Sequence, residues 1–124
     1  MSGLDDKGLP RGYPFNADWE IAPRDYVRRR DAGESIVLLD CRTDAERAIA
    51  TIDASVHVPM NLLMTRLADL RAHEGTPIVV YCHHGARSLQ VTATLREAGF
   101  DEVHSLAGGI HLWSLDIDPA VPVY

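Results

Sequence analysis

Two stretches of the chain are apolar almost without interruption, and each ends in a residue that can take part in chemistry. SIVLLD covers residues 35–40 and PIVVYC covers residues 77–82. A strand with one face in water alternates apolar and polar residues, whereas unbroken apolar runs of this length are typical of strands buried on both faces. The two runs therefore predict a parallel sheet, with Asp40 and Cys82 at the carboxyl ends of its strands.

Helical patterns and shorter strands surround these two runs. Turn residues and apolar periodicity predict a first helix from Pro23 to Gly33, a short polar helix over 45–49 and a brief strand, SVHVP, ended by Pro59. A helix capped by Asn61 is predicted next; it has Leu63, Leu67 and Leu70 on one face and ends at Gly75. A last strand, DEVHSL, and a final helix in GGIHLWSL complete the pattern. Strands that alternate with helices predict an α/β domain with a mainly parallel sheet and helices on both faces.

The segment after Ser88 fits two secondary structures. Its apolar residues alternate from Leu89 to Leu95, as in a strand. Its length, Arg96 near its end and Gly99 as a stop favour a helix, and a strand at this point would leave the preceding strand without a crossover. We therefore predict a helix.

Length and charge limit what this chain can do. A chain of 124 residues fits one compact domain, which we place at 19–124, after a loosely held, Gly- and Pro-containing arm over 1–18. The net charge of -6 gives no electrostatic footprint for nucleic acid, and the basic run at 28–30 is expected to be a solvated helix face. Neither a signal peptide nor an 18-residue apolar run is present, which predicts a cytoplasmic protein with no membrane partner and free thiols at Cys41 and Cys82.

The loop that follows the second buried run has the features of a reactive-thiol site. In an open parallel sheet, ligands bind at the carboxyl ends of the strands, where Cys82 is expected to lie. The loop from Cys82 to Arg87 leads into a predicted helix, whose unpaired N-terminal N–H groups lower the pKa of a thiol and bind anions. Gly85 allows the loop to curl, and Arg87 adds a positive charge. These features favour a thiolate nucleophile for an anionic substrate over a purely structural buried cysteine.

The sequence around this loop resembles the rhodanese (sulfurtransferase) family. YCHHGARS resembles the family's active-site loop, and LLDCRTDAE resembles its strand that ends in Asp, x, Arg, with a Glu four residues beyond the Arg. ASVHVPMNLL, AGFDEVHSLAGGIHLW and DIDPAVPVY resemble later segments, so the match runs from about Ile21 to the C-terminus. The resemblance implies a rhodanese-like α/β domain with about five strands.

The resemblance also implies roles for individual residues. Cys82 is expected to be the nucleophile that carries a persulfide, formed from a small anionic donor such as thiosulfate and passed to a thiol or protein acceptor. Asp40 and Arg42 are expected to support the loop, and no metal or organic cofactor is implied. The expected substrate-binding residues are those of the loop, namely His83, His84, Gly85, Ala86, Arg87 and Ser88.

Two positions depart from the family pattern. Ala50 and Thr51 stand where the family usually has Gly and His, so a histidine that typically braces this turn is missing. Cys41 stands where the family commonly has valine. We interpret Cys41 as a small core residue rather than a second redox thiol.

Other functions fit the same residues less well. Cysteine-dependent phosphatases have five residues between Cys and Arg, whereas four separate Cys82 from Arg87, and a shorter loop suits a sulfur atom better than a phosphoryl group. A binding module without turnover is disfavoured because Cys82 is retained. Adjacent His83 and His84 in one tight loop do not converge readily on one ion, so no metal site is predicted, and His111 is expected to have a surface or packing role.

Overall fold

The computed structural model describes residues 3–124 and contains one five-stranded sheet. The strands are β1 (Glu20–Ile21), β2 (Val37–Asp40), β3 (Val56–His57), β4 (Ile78–Tyr81) and β5 (Val103–Leu106). Their order across the sheet is β1-β5-β4-β2-β3, and every neighbouring pair is parallel. This topology confirms the predicted α/β class and places β4, the strand before Cys82, at the centre of the sheet.

Helices cover both faces of the sheet, as predicted. They are α1 (Pro23–Asp31), α2 (Asp44–Ile49), α3 (Leu67–Leu70), α4 (Ala86–Glu97) and α5 (Gly109–Asp116). One apolar cluster joins α3 and α4 to one face through side chains such as Leu70, Val91 and Leu95. A second cluster joins α1 and α5 to the other face through Tyr26 and Trp113. The segment after the Cys82 loop is thus a helix, and the strand-like alternation within it was misleading.

The predicted helix between Asn61 and Gly75 is wrong as a single element. The chain forms a 3₁₀ turn over Met60–Leu62, the one-turn helix α3, and a second 3₁₀ turn over Arg71–His73. Leu63 and Leu70 are buried as the pattern required. Leucines spaced four and three apart can reach the sheet from successive helical turns as well as from one helix, so periodicity could not separate the two cases.

The sequence did not predict β1, and the N-terminal segment contacts the domain. β1 has only two residues, too few for any periodicity, and it pairs with the edge of β5. Leu9 is 1% exposed and packs with Ala22 and Leu112. The domain boundary at residue 19 stays a prediction, but part of the preceding segment contributes to a core.

No helix in the described part of the chain has the length and hydropathy needed to cross a membrane.

Candidate active site

Cys82 lies where the central strand ends, and the loop after it curls around its sulfur. Its Sγ accepts hydrogen bonds from the backbone N–H groups of Gly85 (3.1 Å) and Ser88 (3.4 Å). Gly85 makes this possible because its φ of 118° lies in the left-handed region that favours glycine, and α4 begins at the next residue. The sulfur therefore occupies a pocket of N–H donors at a helix N-terminus, which is suited to a negative charge.

The N-terminus of α5 holds the outer side of this loop. The backbone N–H of Ile110 donates to the carbonyl of Cys82 (2.9 Å), and that of His111 donates to the carbonyl of His83 (3.1 Å). A Cβ on Gly109 would lie only 2.4 Å from the His83 oxygen, so glycine is required for this close approach. The two loop carbonyls thus point toward α5, whereas the N–H groups of Gly85 and Ser88 point toward the sulfur.

Ser88 joins the loop to the strand beside it. Its hydroxyl lies 3.4 Å from Cys82 Sγ, donates to the Gly85 carbonyl (3.1 Å), and contacts the Ser105 hydroxyl (2.7 Å). Both serines are buried. The sequence singled out Ser88 but missed Ser105, which reaches the site only because β5 neighbours β4.

Cys41 lies beside Cys82, although the sequence analysis gave it only a packing role. It follows β2 as Cys82 follows β4; the two strands are paired in register, and the Cys41 N–H donates to the Tyr81 carbonyl (3.1 Å). Both thiols are 1% exposed and belong to the same apolar cluster. Interaction with Cys82 raises the pKa of the Cys41 thiol well above its ordinary value, with burial adding to the effect.

The same contact favours the ionised form of Cys82. The neighbouring Cys41 thiol, together with hydrogen bonds from Ser88 and Gly85, outweighs burial and lowers the pKa of Cys82 to about 5. Burial alone would raise the pKa of a thiol. The surroundings therefore favour the thiolate form of Cys82 and the thiol form of Cys41.

Arg87 is paired with a carboxylate to which the sequence analysis had given no role. Its two terminal nitrogens donate to the two carboxylate oxygens of Glu46, at 2.6 and 2.8 Å. This hydrogen bonding, with a further bond from Tyr124, holds the pKa of Glu46 far below its usual range. The pair ties the Cys82 loop to α2 and compensates the guanidinium charge.

Asp40 and Arg42 form a fully buried ion pair beside the loop. Arg42 donates from Nε and Nη2 to the two oxygens of Asp40, at 2.9 and 2.8 Å. It also donates to the Ala50 carbonyl (2.6 Å) and to the hydroxyl of Tyr124 (2.9 Å), which in turn donates to Glu46 (2.8 Å). A continuous polar network thus runs from this ion pair to the Glu46 carboxylate that holds Arg87.

The two loop histidines lie at the surface of the site, where a third histidine joins them. The ring of His83 stacks on Tyr124 with centroids 3.9 Å apart, and His84 is exposed. His111, at the start of α5, lies 4.7 Å from the His84 ring, centroid to centroid. These three form the one group in the described residues 3–124 with a spacing suited to a metal ion.

A small cavity adjoins Cys41 and Arg87. Its volume is about 210 Å³, and its lining residues are Cys41, Thr43, Pro59, Met60, Asn61 and Arg87. Ala86, the remaining loop residue singled out by the sequence, is exposed at the first position of α4. A cavity of this size suits a small donor molecule rather than a bulky organic cofactor.

Known proteins share this architecture and much of the sequence. A family model described as Rhodanese-like domain matches residues 23–116. The chain is 35% identical over 95 residues to a protein of Allochromatium vinosum named Sulfurtransferase, covering 77% of this chain and 87% of that protein. It is 34% identical over 129 residues to Adenylyltransferase and sulfurtransferase MOCS3-1 of Zea mays, covering 100% of this chain but 28% of that protein.

Solved structures agree with these relationships. The crystal structure of thiosulfate sulfurtransferase from Pseudomonas aeruginosa has a TM-score of 0.69 and 29% identity, covering 78% of this chain and 19% of that one. A rhodanese-like domain protein from Staphylococcus aureus has a TM-score of 0.73 and 22% identity, covering 86% of this chain and 98% of that one; at this identity it shows the fold alone. From the family match and the close relatives, we conclude that the chain belongs to the rhodanese-like domain family.

Proposed function

We propose that the chain is a sulfurtransferase that moves a sulfane sulfur from thiosulfate, or a similar small anionic donor, through a persulfide on Cys82. The observation that carries the proposal is the placement of the Cys82 sulfur, which accepts hydrogen bonds from the N–H groups of Gly85 and Ser88. The relative from A. vinosum that is named Sulfurtransferase supports this class of reaction.

The first half-reaction uses the thiolate that this environment favours. Cys82 S⁻ attacks the outer sulfur of thiosulfate, the S–S bond of the donor breaks, and its electron pair leaves with sulfite. The product is the anionic persulfide Cys82–S–S⁻. The N–H groups that stabilise the thiolate lie at the same loop, and they provide preorganised stabilisation for the persulfide charge.

The second half-reaction passes the outer sulfur to a thiophilic acceptor. Cyanide attacks that sulfur, the S–S bond that joins it to Cys82 Sγ breaks, and thiocyanate leaves while the bonding electron pair restores the Cys82 thiolate. In the cell we propose a thiol or a protein as the acceptor, since the maize relative is named for both adenylyl and sulfur transfer. The cytoplasm is the proposed setting, because both cysteines are free thiols, as in a reducing compartment.

Arg87 is proposed to fix the loop more than to grip the donor. Both of its terminal nitrogens are occupied by Glu46, so its charge is already compensated. The anionic end of the donor then depends chiefly on the N–H groups at the start of α4, with His83 and His84 at the mouth of the loop.

The experiment is a thiosulfate:cyanide assay on two matched single-cysteine variants. Cys82→Ser keeps nearly the same volume and is expected to abolish thiocyanate formation while the fold survives, as checked by circular dichroism. Cys41→Ser, at the other cysteine, is expected to keep measurable transfer. Substantial turnover by folded Cys82→Ser protein would refute the proposal.

A further inference from the structure

Three imidazoles from two elements meet next to the Cys82 loop. His83 and His84 are adjacent in the loop, and α5 contributes His111. One ring nitrogen from each lies within 4.8 Å of the others. The backbone N–H of His111 donates to the His83 carbonyl (3.1 Å), so the two elements are fixed against each other at this point.

The hydrogen bond of His83 leaves one of its nitrogens available as a ligand. Its Nε2 lies 2.8 Å from the backbone oxygen of Tyr124, an atom that can only accept, so Nε2 carries the proton. Nδ1 then keeps its lone pair. A histidine that donates one N–H to a backbone oxygen and offers the other nitrogen is the usual arrangement around bound metals, because it fixes both tautomer and ring orientation.

His111 has a polar atom that the protein itself leaves unsatisfied. Its Nδ1 is shielded from solvent and has no hydrogen-bond partner among residues 3–124. Buried polar atoms are nearly always paired, and one without a partner calls for an unseen ion or water. His111 belongs to the same three-histidine group, so an ion bound there through Nδ1 would account for this atom.

We propose that His83, His84 and His111 bind a divalent transition-metal ion of the Zn²⁺ class at the mouth of the loop. In a tetrahedral site with Zn–N distances of about 2.0–2.1 Å, ligand nitrogens lie about 3.4 Å apart. The present spacing of up to 4.8 Å therefore has to shorten by about 1.4 Å. The exposed His84 side chain is free to turn toward the other two.

The proposed site has an open coordination position. Three protein ligands leave the fourth position of a tetrahedral ion open to water or another molecule. The sequence analysis predicted no metal site because His83 and His84 are adjacent in one tight loop and His111 was expected to have a surface or packing role. The approach of His111 to the loop depends on the fold.

The test measures Zn²⁺ binding by equilibrium dialysis on protein in which Cys82→Ser removes the buried Cys82 thiolate as an alternative ligand. We expect one Zn²⁺ per chain, and an affinity about tenfold or more weaker when His84→Gln or His111→Gln is added. His104→Gln on β5, outside the cluster, is the matched control and is expected to bind as the parent does. Because His84 is exposed, its substitution removes no core packing.

A second readout identifies the ligands directly. Co²⁺ added in place of Zn²⁺ is expected to give the intense visible absorption of a tetrahedral nitrogen-ligated site in the parent and to lose it in His84→Gln. Failure of the Cys82→Ser parent to bind Zn²⁺ in a one-to-one ratio would overturn the proposal. Equal Zn²⁺ affinity in the parent and in His84→Gln would overturn it as well. Neither result would bear on sulfur transfer, which is measured with Cys82 intact.

Discussion

At the scale of single residues, the chemistry depends on how one buried thiol is ionised beside another. Burial raises the pKa of a thiol, so Cys82 needs donors to ionise, and it has them in the loop N–H groups, in Ser88 and in Cys41. The contribution of Cys41 follows from strand pairing, because β2 and β4 run parallel and in register up to the residue before each cysteine. A position interpreted from sequence as core packing thus also affects the ionisation of Cys82, the proposed nucleophile.

The contribution of Cys41 can be measured through the reactivity of Cys82. Cys41→Val removes the S–H donor and is expected to raise the pKa of Cys82 by about one unit, since a hydrogen bond to a charged group is worth about 1.5 kcal/mol. The pH dependence of alkylation by iodoacetamide reports this shift as a higher midpoint. Cys41→Ser, which keeps a donor, should shift the midpoint less. Identical profiles for Cys41→Val and the parent would show that the contact has no effect on Cys82.

The pairing of Arg87 with Glu46 predicts how its loss affects different donors. Arg87→Ala is expected to reduce kcat/KM about tenfold. A larger reduction is not expected, because the Arg87 side chain is partly exposed and solvent weakens its ion pair with Glu46. The reduction should be similar for thiosulfate and for a neutral sulfur donor, because the guanidinium acts on the loop. Steady-state kinetics with both donors decides the point. A reduction confined to thiosulfate would instead show that Arg87 grips the anionic end, as the sequence had suggested.

At the scale of elements, the site is assembled where three segments meet. β4 delivers Cys82, α4 supplies N–H groups to its sulfur, and α5 binds the loop carbonyls from outside. The paired glycines before α5 make this contact possible, since a side chain at Gly109 would collide with the loop backbone. The geometry of the loop is therefore coupled to the packing of α5.

A glycine comparison isolates that contact. Gly109→Ala is expected to lower the free energy of unfolding by about 2 kcal/mol more than Gly33→Ala does. Both glycines have a positive φ, 62° and 89°, so both substitutions carry the same kind of backbone strain. Only at Gly109 would the added Cβ collide with neighbouring backbone atoms. Urea denaturation monitored by tryptophan fluorescence measures the difference. Equal decreases in the free energy of unfolding in the two variants would show that the loop accommodates the added methyl group without destabilising the fold.

The elements also show where sequence patterns carry information. Unbroken apolar runs identified β2 and β4, and the length and flanking residues of α4 outweighed an alternation typical of a strand. β1 escaped prediction because a two-residue strand is defined by its partner β5 and not by its own residues. The single helix expected over 61–75 failed because leucine spacing does not report breaks between turns.

At the scale of the whole molecule, a buried ion pair links the sheet to the site. Arg42 and Asp40 are both 0% exposed, and Arg42 also bonds the turn after α2 and the hydroxyl of Tyr124. Burial opposes ionisation of Asp40, but hydrogen bonds and charge from Arg42 outweigh it, so its pKa is lowered. Breaking such a pair leaves a buried charge uncompensated, which costs more than the pair itself contributes.

Removing the carboxylate should therefore affect the whole fold and its acid stability. Asp40→Asn is expected to cost about 3–5 kcal/mol of unfolding free energy at pH 7. Because the pKa of Asp40 is lower in the folded state, its stabilisation is complete above the unfolded pKa of about 3.9 and is lost as pH falls below it. Urea unfolding at pH 7 and in steps below pH 4 measures this. If the difference in unfolding free energy between the parent and Asp40→Asn did not decrease below pH 4, ionisation of Asp40 would not be the source of the stabilisation.

The candidate site was only partly predictable from sequence, because some of its residues are brought together only by the fold. The sequence predicted that four site residues lie together because they belong to one motif in the continuous segment 82–88. They are Cys82, Gly85, Arg87 and Ser88. Glu46 was visible in a motif but had no assigned partner, and Ser105, His111 and Tyr124 come from segments that only the folded sheet brings to the loop. Roles that arise from contacts between distant segments leave no local pattern to detect.

The most direct test of the sulfurtransferase proposal is the mass of the intact protein after incubation with thiosulfate and removal of the excess. We predict that the chain gains the mass of one sulfur atom, that peptide mapping locates it on Cys82, and that cyanide removes it as thiocyanate. Cys82→Ser protein should gain nothing. An unchanged mass for the parent, or a sulfur retained in Cys82→Ser, would contradict a persulfide on Cys82 as the intermediate.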